Sequence, residues 1–542
     1  MTLRFVLLLF GLFALSVPLR SAAPVVTPVT APHGMVVAIH PEAVALGVEV
    51  LRAGGNAMDA AVTVSLAVGV AEPYGSGLGG KLVMLYHDAA SGTTTAVEAL
   101  DAAGSAFDLR RHRQLGREAS SSGWTAVCVP GLPAGLYEAH RRWGSMPWRR
   151  TVEPVVGFAR EGFTLLPGIR KAFVEREDVL NRGDPEVARL YRPGLAPEAE
   201  GRRLPNEDLA RTLEALAERG RDGFYRGPVA AALVAAAQRG GGWITARDLE
   251  SYAVRFSSPL TLEFAGRTVL APPPPGHGAP IILATLRASA DLAAGSFRSA
   301  ANLDRFGRNY LAQSEQVRRL IGDSPEARAA AERLIASPAT SGVGAAARDG
   351  DATTHLIVVD RHGNIACLSQ SLSLHFGAGV IAPGTGFVLN NTMSNFNYTD
   401  ATLPNHAAPG RRPWSTTAPI VVLEGGRPVL TLGLPGGARI PSGLAQVLAE
   451  HLLFRRPLAA AIADTRVHWI GTEGPGPGRF EAENTLPAET AAELRKMGWE
   501  VDTRRVPGAS SHFGGVNAVI LEADGSRTGL ADPRRLNVAA GH

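Results

Sequence analysis

The sequence predicts an α+β protein in which antiparallel sheets are covered by helices. Apolar strand-like runs come as near neighbours, such as residues 82–86 and 94–99, which read as antiparallel partners. Helical periodicity fills long stretches elsewhere, above all residues 133–239. The two kinds of segment cluster instead of alternating, which argues against a parallel sheet wound by crossover helices. With 45% hydrophobic residues in 542, the chain can bury a large core.

In chain order, Met1-Thr-Leu-Arg4, an apolar run over 5–17 and Ser21-Ala-Ala23 form the three parts of a secretory signal, so export is expected. The run is shorter than the roughly 20 residues a bilayer span needs, and no later segment is long and apolar enough. Pro24 would hinder cutting after Ala23, so a retained N-terminal anchor is the alternative. Residues 41–69 predict a helix that stops at Gly54-Gly55, then a second apolar helix over 57–68. A glycine-rich turn leads into the strand 82–86, and 125–129 predicts a further strand ended by Pro130-Gly131. Amphipathic helices follow at 206–218 and 227–238. Residues 272–278 predict a rigid proline loop before a helix starting near Ala279, and 329–350 an exposed linker suited to cleavage. Strands at 356–359, 365–369, 420–423 and 428–432 then precede a helix over 440–451; a last helix at 487–497 leads to a strand at 516–521.

The net charge of +4 is carried by scattered basic residues without interleaved aromatics, so no nucleic-acid partner is expected. Lysine is nearly absent, only Lys81, Lys171 and Lys496, which makes Lys81 conspicuous. Cys128 and Cys367 are the only cysteines; they pair once or stay as buried free thiols, and the apolar runs around them favour the second. Fourteen dispersed histidines and the lack of H-E-x-x-H, paired C-x-x-C or G-x-S-x-G point to neither metal, cofactor nor serine hydrolase. Gly75-Ser-Gly-Leu-Gly-Gly80-Lys81 matches phosphate-loop spacings, but it follows a helix and enters a strand, the reverse of what a phosphate site requires.

Thr353, in Asp351-Ala-Thr-Thr-His355, is the candidate nucleophile. A threonine hydroxyl needs a base, and its own α-amino group can serve once the chain is cut before it. The alternative is that Thr353 and Thr354 merely open a strand, which threonine favours. Leu434-Pro-Gly-Gly437 puts two glycines between a strand and a helix, either as an oxyanion-binding turn or as a plain connection.

These residues, with Gly54-Gly-Asn-Ala-Met-Asp-Ala-Ala61, Glu72-Pro-Tyr-Gly75, residues 206–225 and 272–278, Leu389-Asn-Asn391, Arg412-Pro-Trp-Ser-Thr416 and Asp532-Pro-Arg-Arg535, resemble the γ-glutamyltransferase family of N-terminal-nucleophile hydrolases. The resemblance implies an αββα four-layer sandwich and a self-cleaving precursor. It divides the chain into a signal (1–23), a large fragment (24–352) and a small fragment (353–542) that stay associated. It also implies small-molecule amide or peptide substrates and no cofactor. Thr353 would attack the amide, Gly436 and Gly437 would hold the oxyanion, and Ser371 would stand where the family has a second threonine.

Substrate recognition departs from the family. Its carboxylate-binding arginine matches Leu100, followed by Asp101; its small-fragment asparagine, acid-or-amide and aspartate positions match Ser373, Thr392 and Asn395. Ser415 and Thr416 keep a hydroxyl pair. Two charged contacts to an amino-acid head are lost, each worth about 1.5 to 3 kcal/mol. Lys81 and Leu82 replace two loop glycines. Lys81 is expected to recognise a carboxylate on a different acyl group; the alternative is a lysine that reaches solvent. A shortened loop over 397–411 would favour water over acceptor amines. Three functions remain open: γ-glutamyl amide cleavage, an acylase for another acyl group such as a dicarboxylic one, and a non-catalytic binding protein on the same fold.

Overall fold

The computed structural model describes residues 24–342, 352–472, 476–504 and 512–542. The signal-like residues 1–23 and residues 343–350 of the expected linker lie outside them. Two seven-stranded sheets, antiparallel throughout, form the centre. One runs in the order Val29–Ala31, Arg527–Ala531, Asn517–Leu521, Arg427–Gly433, Ile420–Glu424, Arg267–Ala271, Leu260–Phe264. The other runs Asn537–Gly541, Met35–Ile39, Ala352–Val359, Ile365–Ser373, Lys81–Asp88, Thr93–Ala99, Arg255–Ser257.

Three apolar layers hold this together. Met35, Val37, Leu85, Ile357, Cys367, Val421 and Val519 pack between the sheets. Outside the second sheet lies the helix Ala57–Ala71, predominantly apolar and buried at every residue but Gly69. Asn56 starts it: its side-chain oxygen accepts from the N–H groups of Met58 (2.9 Å) and Asp59 (3.1 Å), while Asp59 accepts from the Asn56 N–H. Outside the first sheet lie Gly278–Ala288, Ala300–Leu320 and Arg439–Leu448. Helix, sheet, sheet, helix is the αββα sandwich.

The predicted elements reappear with shifted ends, and two expectations fail. Residues 125–129 are not a strand: a short 3-10 turn, Trp124–Ala126, precedes Cys128, whose N–H and C=O are both bonded by the side-chain amide of Asn390 (3.0 and 2.9 Å). That amide takes the place of a strand partner at Cys128, and Val129 pairs by its backbone with Ala102. The start of the expected linker is the helix Ala327–Ala336, whose alanines pack on the first sheet's helical layer. Both cysteines are buried and unpaired. Among the described residues no helix is long and apolar enough to cross a membrane.

Candidate active site

Thr353 and Ser371 meet on the two central strands of the second sheet, at the wall of a cavity of about 430 Å³. With the Ala352–Thr353 peptide intact, the Thr353 hydroxyl donates to Ser371 Oγ at 3.3 Å. Ser371 Oγ donates in turn to the carbonyl oxygen of Ala352, on the bond expected to break, and accepts from the Ser373 N–H at 2.9 Å. One hydroxyl thus touches both the nucleophile and the carbonyl it would attack. Gly437 also lines the cavity, with φ +58, a conformation glycine adopts freely. Gly436 sits beside it, and among the described residues neither glycine's N–H has a hydrogen-bond partner. Such donors are what an oxyanion requires.

The other expected residues divide. Ser373, Asn395, Ser415 and Thr416 line the cavity. Asn395 spends its amide on the Trp414 carbonyl (2.9 Å), and the Ser415 hydroxyl is paired with that of Thr417 (2.8 Å). Leu100, Asp101 and Thr392 are not on the cavity wall, contrary to expectation. Leu100 is buried in the core, with its carbonyl taken by the Tyr252 hydroxyl at 2.7 Å.

Asp101 and Thr392 stand behind Lys81, which lines the cavity at only 3% exposure, so a solvent-reaching lysine is excluded. Lys81 Nζ donates to Ser373 Oγ (2.5 Å) and Thr392 Oγ1 (3.2 Å) and lies 3.7 Å from Asp101, which accepts from Thr392 at 2.6 Å. Burial pushes the Lys81 pKa down and the Asp101 pKa up, and their mutual attraction opposes both shifts. The lysine is thus anchored on the protein's own carboxylate.

The sequence left several neighbours without a role. Glu72, fully buried with its pKa raised by burial, accepts from the Thr354 hydroxyl, and Arg535 donates to the Thr353 carbonyl at 3.0 Å. For Glu72 the available signal was a charge at the end of an apolar helix; Arg535 stands among other charged residues and carried no such signal. Tyr310, Phe396, Tyr398, Trp414 and Trp469 build an aromatic wall, with Arg318 and Arg479 also lining the cavity. No Asp or Glu lines it among the described residues. No group of His, Cys, Asp and Glu among the described residues is placed to hold a metal.

A family model described as gamma-glutamyltranspeptidase matches residues 43–542. The chain belongs to the gamma-glutamyltranspeptidase family. It is an enzyme of that family's hydrolase and transferase type. The Acylase ACY 1 proenzyme of Pseudomonas sp. (strain SE83) is 33% identical over 537 residues, covering 93% of this chain and 92% of its own. The glutathione hydrolase proenzyme of Pseudomonas aeruginosa is 30% identical over 561 residues, covering 97% and 98%. Among solved structures, the cephalosporin acylase from Bacillus halodurans matches with a TM-score of 0.83 at 24% identity, over 98% of this chain and 99% of that one. That last likeness speaks for the gamma-glutamyltranspeptidase fold alone.

Proposed function

We propose that this family member is made as an exported precursor, cuts itself between Ala352 and Thr353, and then cleaves γ-glutamyl or related acyl amides through an acyl-enzyme on Thr353. The observation that carries the reading is the line from the Thr353 hydroxyl through Ser371 Oγ to the Ala352 carbonyl. In the first step Thr353 Oγ1 attacks the Ala352 carbonyl carbon. The peptide C–N bond breaks, the nitrogen becomes the free amine of Thr353, and water hydrolyses the resulting ester. In turnover that amine takes the hydroxyl proton as Thr353 attacks a substrate amide, then passes it to the leaving amine. Gly436 and Gly437 N–H groups would stabilise the oxyanion in each attack. Water completes hydrolysis; an amine in its place completes transfer.

A second reading concerns the acyl group. Lys81, Arg318 and Arg479 line the cavity, with no carboxylate on the described wall to receive a substrate ammonium. This favours an acyl chain ending in a carboxylate without an α-amino group, such as glutaryl, with Lys81 as its anchor. Initial rates on γ-glutamyl-p-nitroanilide and glutaryl-p-nitroanilide separate the two. Faster release from the first supports γ-glutamyl cleavage, whereas clear release from the second alone supports the dicarboxylic acylase. Release from neither, with the chain uncut on a denaturing gel, would leave only a binding protein.

A further inference from the structure

We propose that Arg535 is a positioning residue for the nucleophile, holding Thr353 by its backbone carbonyl before and after the cut; this rests on the reading of Thr353 given above. The starting point is a break in the strand ladder. On Ile365–Ser373 the Cα partner of Ala352 is Ser373 and that of Thr354 is Gln370, so Thr353 is skipped. The strand on the other side, Met35–Ile39, pairs only with Ile357, Val358 and Val359. Thr353 therefore has no paired residue on either neighbour. A buried carbonyl in that position needs another donor, and Arg535 Nη1 supplies it at 3.0 Å.

The tie extends to the next residue. Arg535 Nη1 lies 3.8 Å from Glu72 Oε1, and both side chains are buried. The other oxygen of Glu72 accepts from the Thr354 hydroxyl, which also accepts from Ser76 Oγ at 3.1 Å. The guanidinium and its counter-charge thus grip successive residues of the same strand, and the Thr353 hydroxyl is left to Ser371. The segment carrying Arg535 is itself fixed. Arg534 forms a fork with Glu483 at 2.6 and 2.8 Å, and Asp532 accepts from the Val516 N–H (3.1 Å) and Arg466 (3.1 Å). This gives Asp532-Pro-Arg-Arg535 a role the sequence did not reveal.

The consequence appears on cleavage. Thr353 then becomes a chain end, and chain ends fray unless tied down, while its ladder begins only at Thr354. Arg535 supplies the missing tie from a residue that is not cut. Arginine suits the task because its planar head keeps direction where a lysine offers only a point charge.

The test uses the full-length chain with Arg535→Ala and Arg535→Lys, following precursor cutting, kcat and KM on whichever anilide the wild type turns over, and melting temperature. The expected result for Arg535→Ala is slower cutting and a kcat about tenfold to a hundredfold lower, with KM little changed and part of kcat restored by added methylguanidinium. Arg535→Lys keeps the charge facing Glu72, so it should melt near the wild type and still lose kcat. Should Arg535→Ala fail to fold, the Lys variant decides. Wild-type kcat in a folded variant, or a loss that tracks only the melting temperature and ignores methylguanidinium, would overturn the proposal while leaving Thr353 as nucleophile. A wild-type chain that neither cuts at Thr353 nor turns over would overturn the parent reading and this one with it.

Discussion

Replacing Ser371 by alanine removes a single oxygen with three contacts: the Thr353 hydroxyl at 3.3 Å, the Ala352 carbonyl, and the Ser373 N–H at 2.9 Å. The first two are the atoms that react in self-cleavage, and charge builds on the carbonyl oxygen as the attack proceeds. A hydrogen bond to a group acquiring charge is worth about 1.5 to 3 kcal/mol. At 1.36 kcal/mol per factor of ten, that is about a tenfold to a hundredfold slowing of the cut. The Ser373 N–H loses its partner too, so a modest fall in stability should accompany it. The assay is a time course of fragment appearance on a denaturing gel after purification of the uncut chain, with Ser371→Thr as the control that keeps the hydroxyl. Cutting by Ser371→Ala at the wild-type rate would refute the role assigned to this oxygen.

Two further outcomes follow from the buried charges. Lys81→Met leaves Asp101 buried without its cation and should cost about 3 kcal/mol or more in urea unfolding at pH 7.5, since breaking one side of a buried pair is expensive. The double variant Lys81→Met/Asp101→Asn should recover most of that, and equal losses in the single and double variants would contradict the pairing. His277 is half-buried at the cavity wall and held down to about pKa 4 by desolvation. Above pH 6.5 it is neutral folded or unfolded and costs nothing; as pH falls toward 4, the unfolded chain takes up a proton that the folded one refuses. At pH 5 this destabilises the fold by on the order of 2 kcal/mol. Asp101 and Glu450, both raised to about 7, shift stability in the opposite sense. The comparison is therefore wild type against His277→Gln, whose stability difference should move by about that amount between pH 7.5 and 5; a constant difference would contradict it.

Elements with strong local signals were legible: the capped apolar helix after Asn56, the strand pair before and after the Ala89–Gly92 turn, and the strands flanking Gly363. The segment 125–129 was misread because an apolar, β-prone run looks the same whether its backbone is satisfied by a strand or by a turn, one asparagine side chain and a single bridge to Ala102. The strand Met35–Ile39 was missed because a buried run of a few residues carries no alternation, and the terminal strands because they are short and their partners lie hundreds of residues away. In the site, Thr353 and Gly437 were singled out from local motifs, and Ser371 from the family resemblance. Arg535 and the Lys81–Asp101 pair depend on side chains meeting across 182 and 20 positions, which no motif encodes. Lys81 stood out in the sequence as one of three lysines, but its burial beside Asp101 could be seen only in the fold.

The central claim is that Thr353 is made into a chain end, and N-terminal sequencing together with intact mass of the purified protein tests it most directly. The account expects two fragments, the smaller starting Thr353-Thr-His355, ending at His542 and 190 residues long. A chain that stays whole under conditions where it is folded, or a small fragment that starts at any residue other than Thr353, would contradict it.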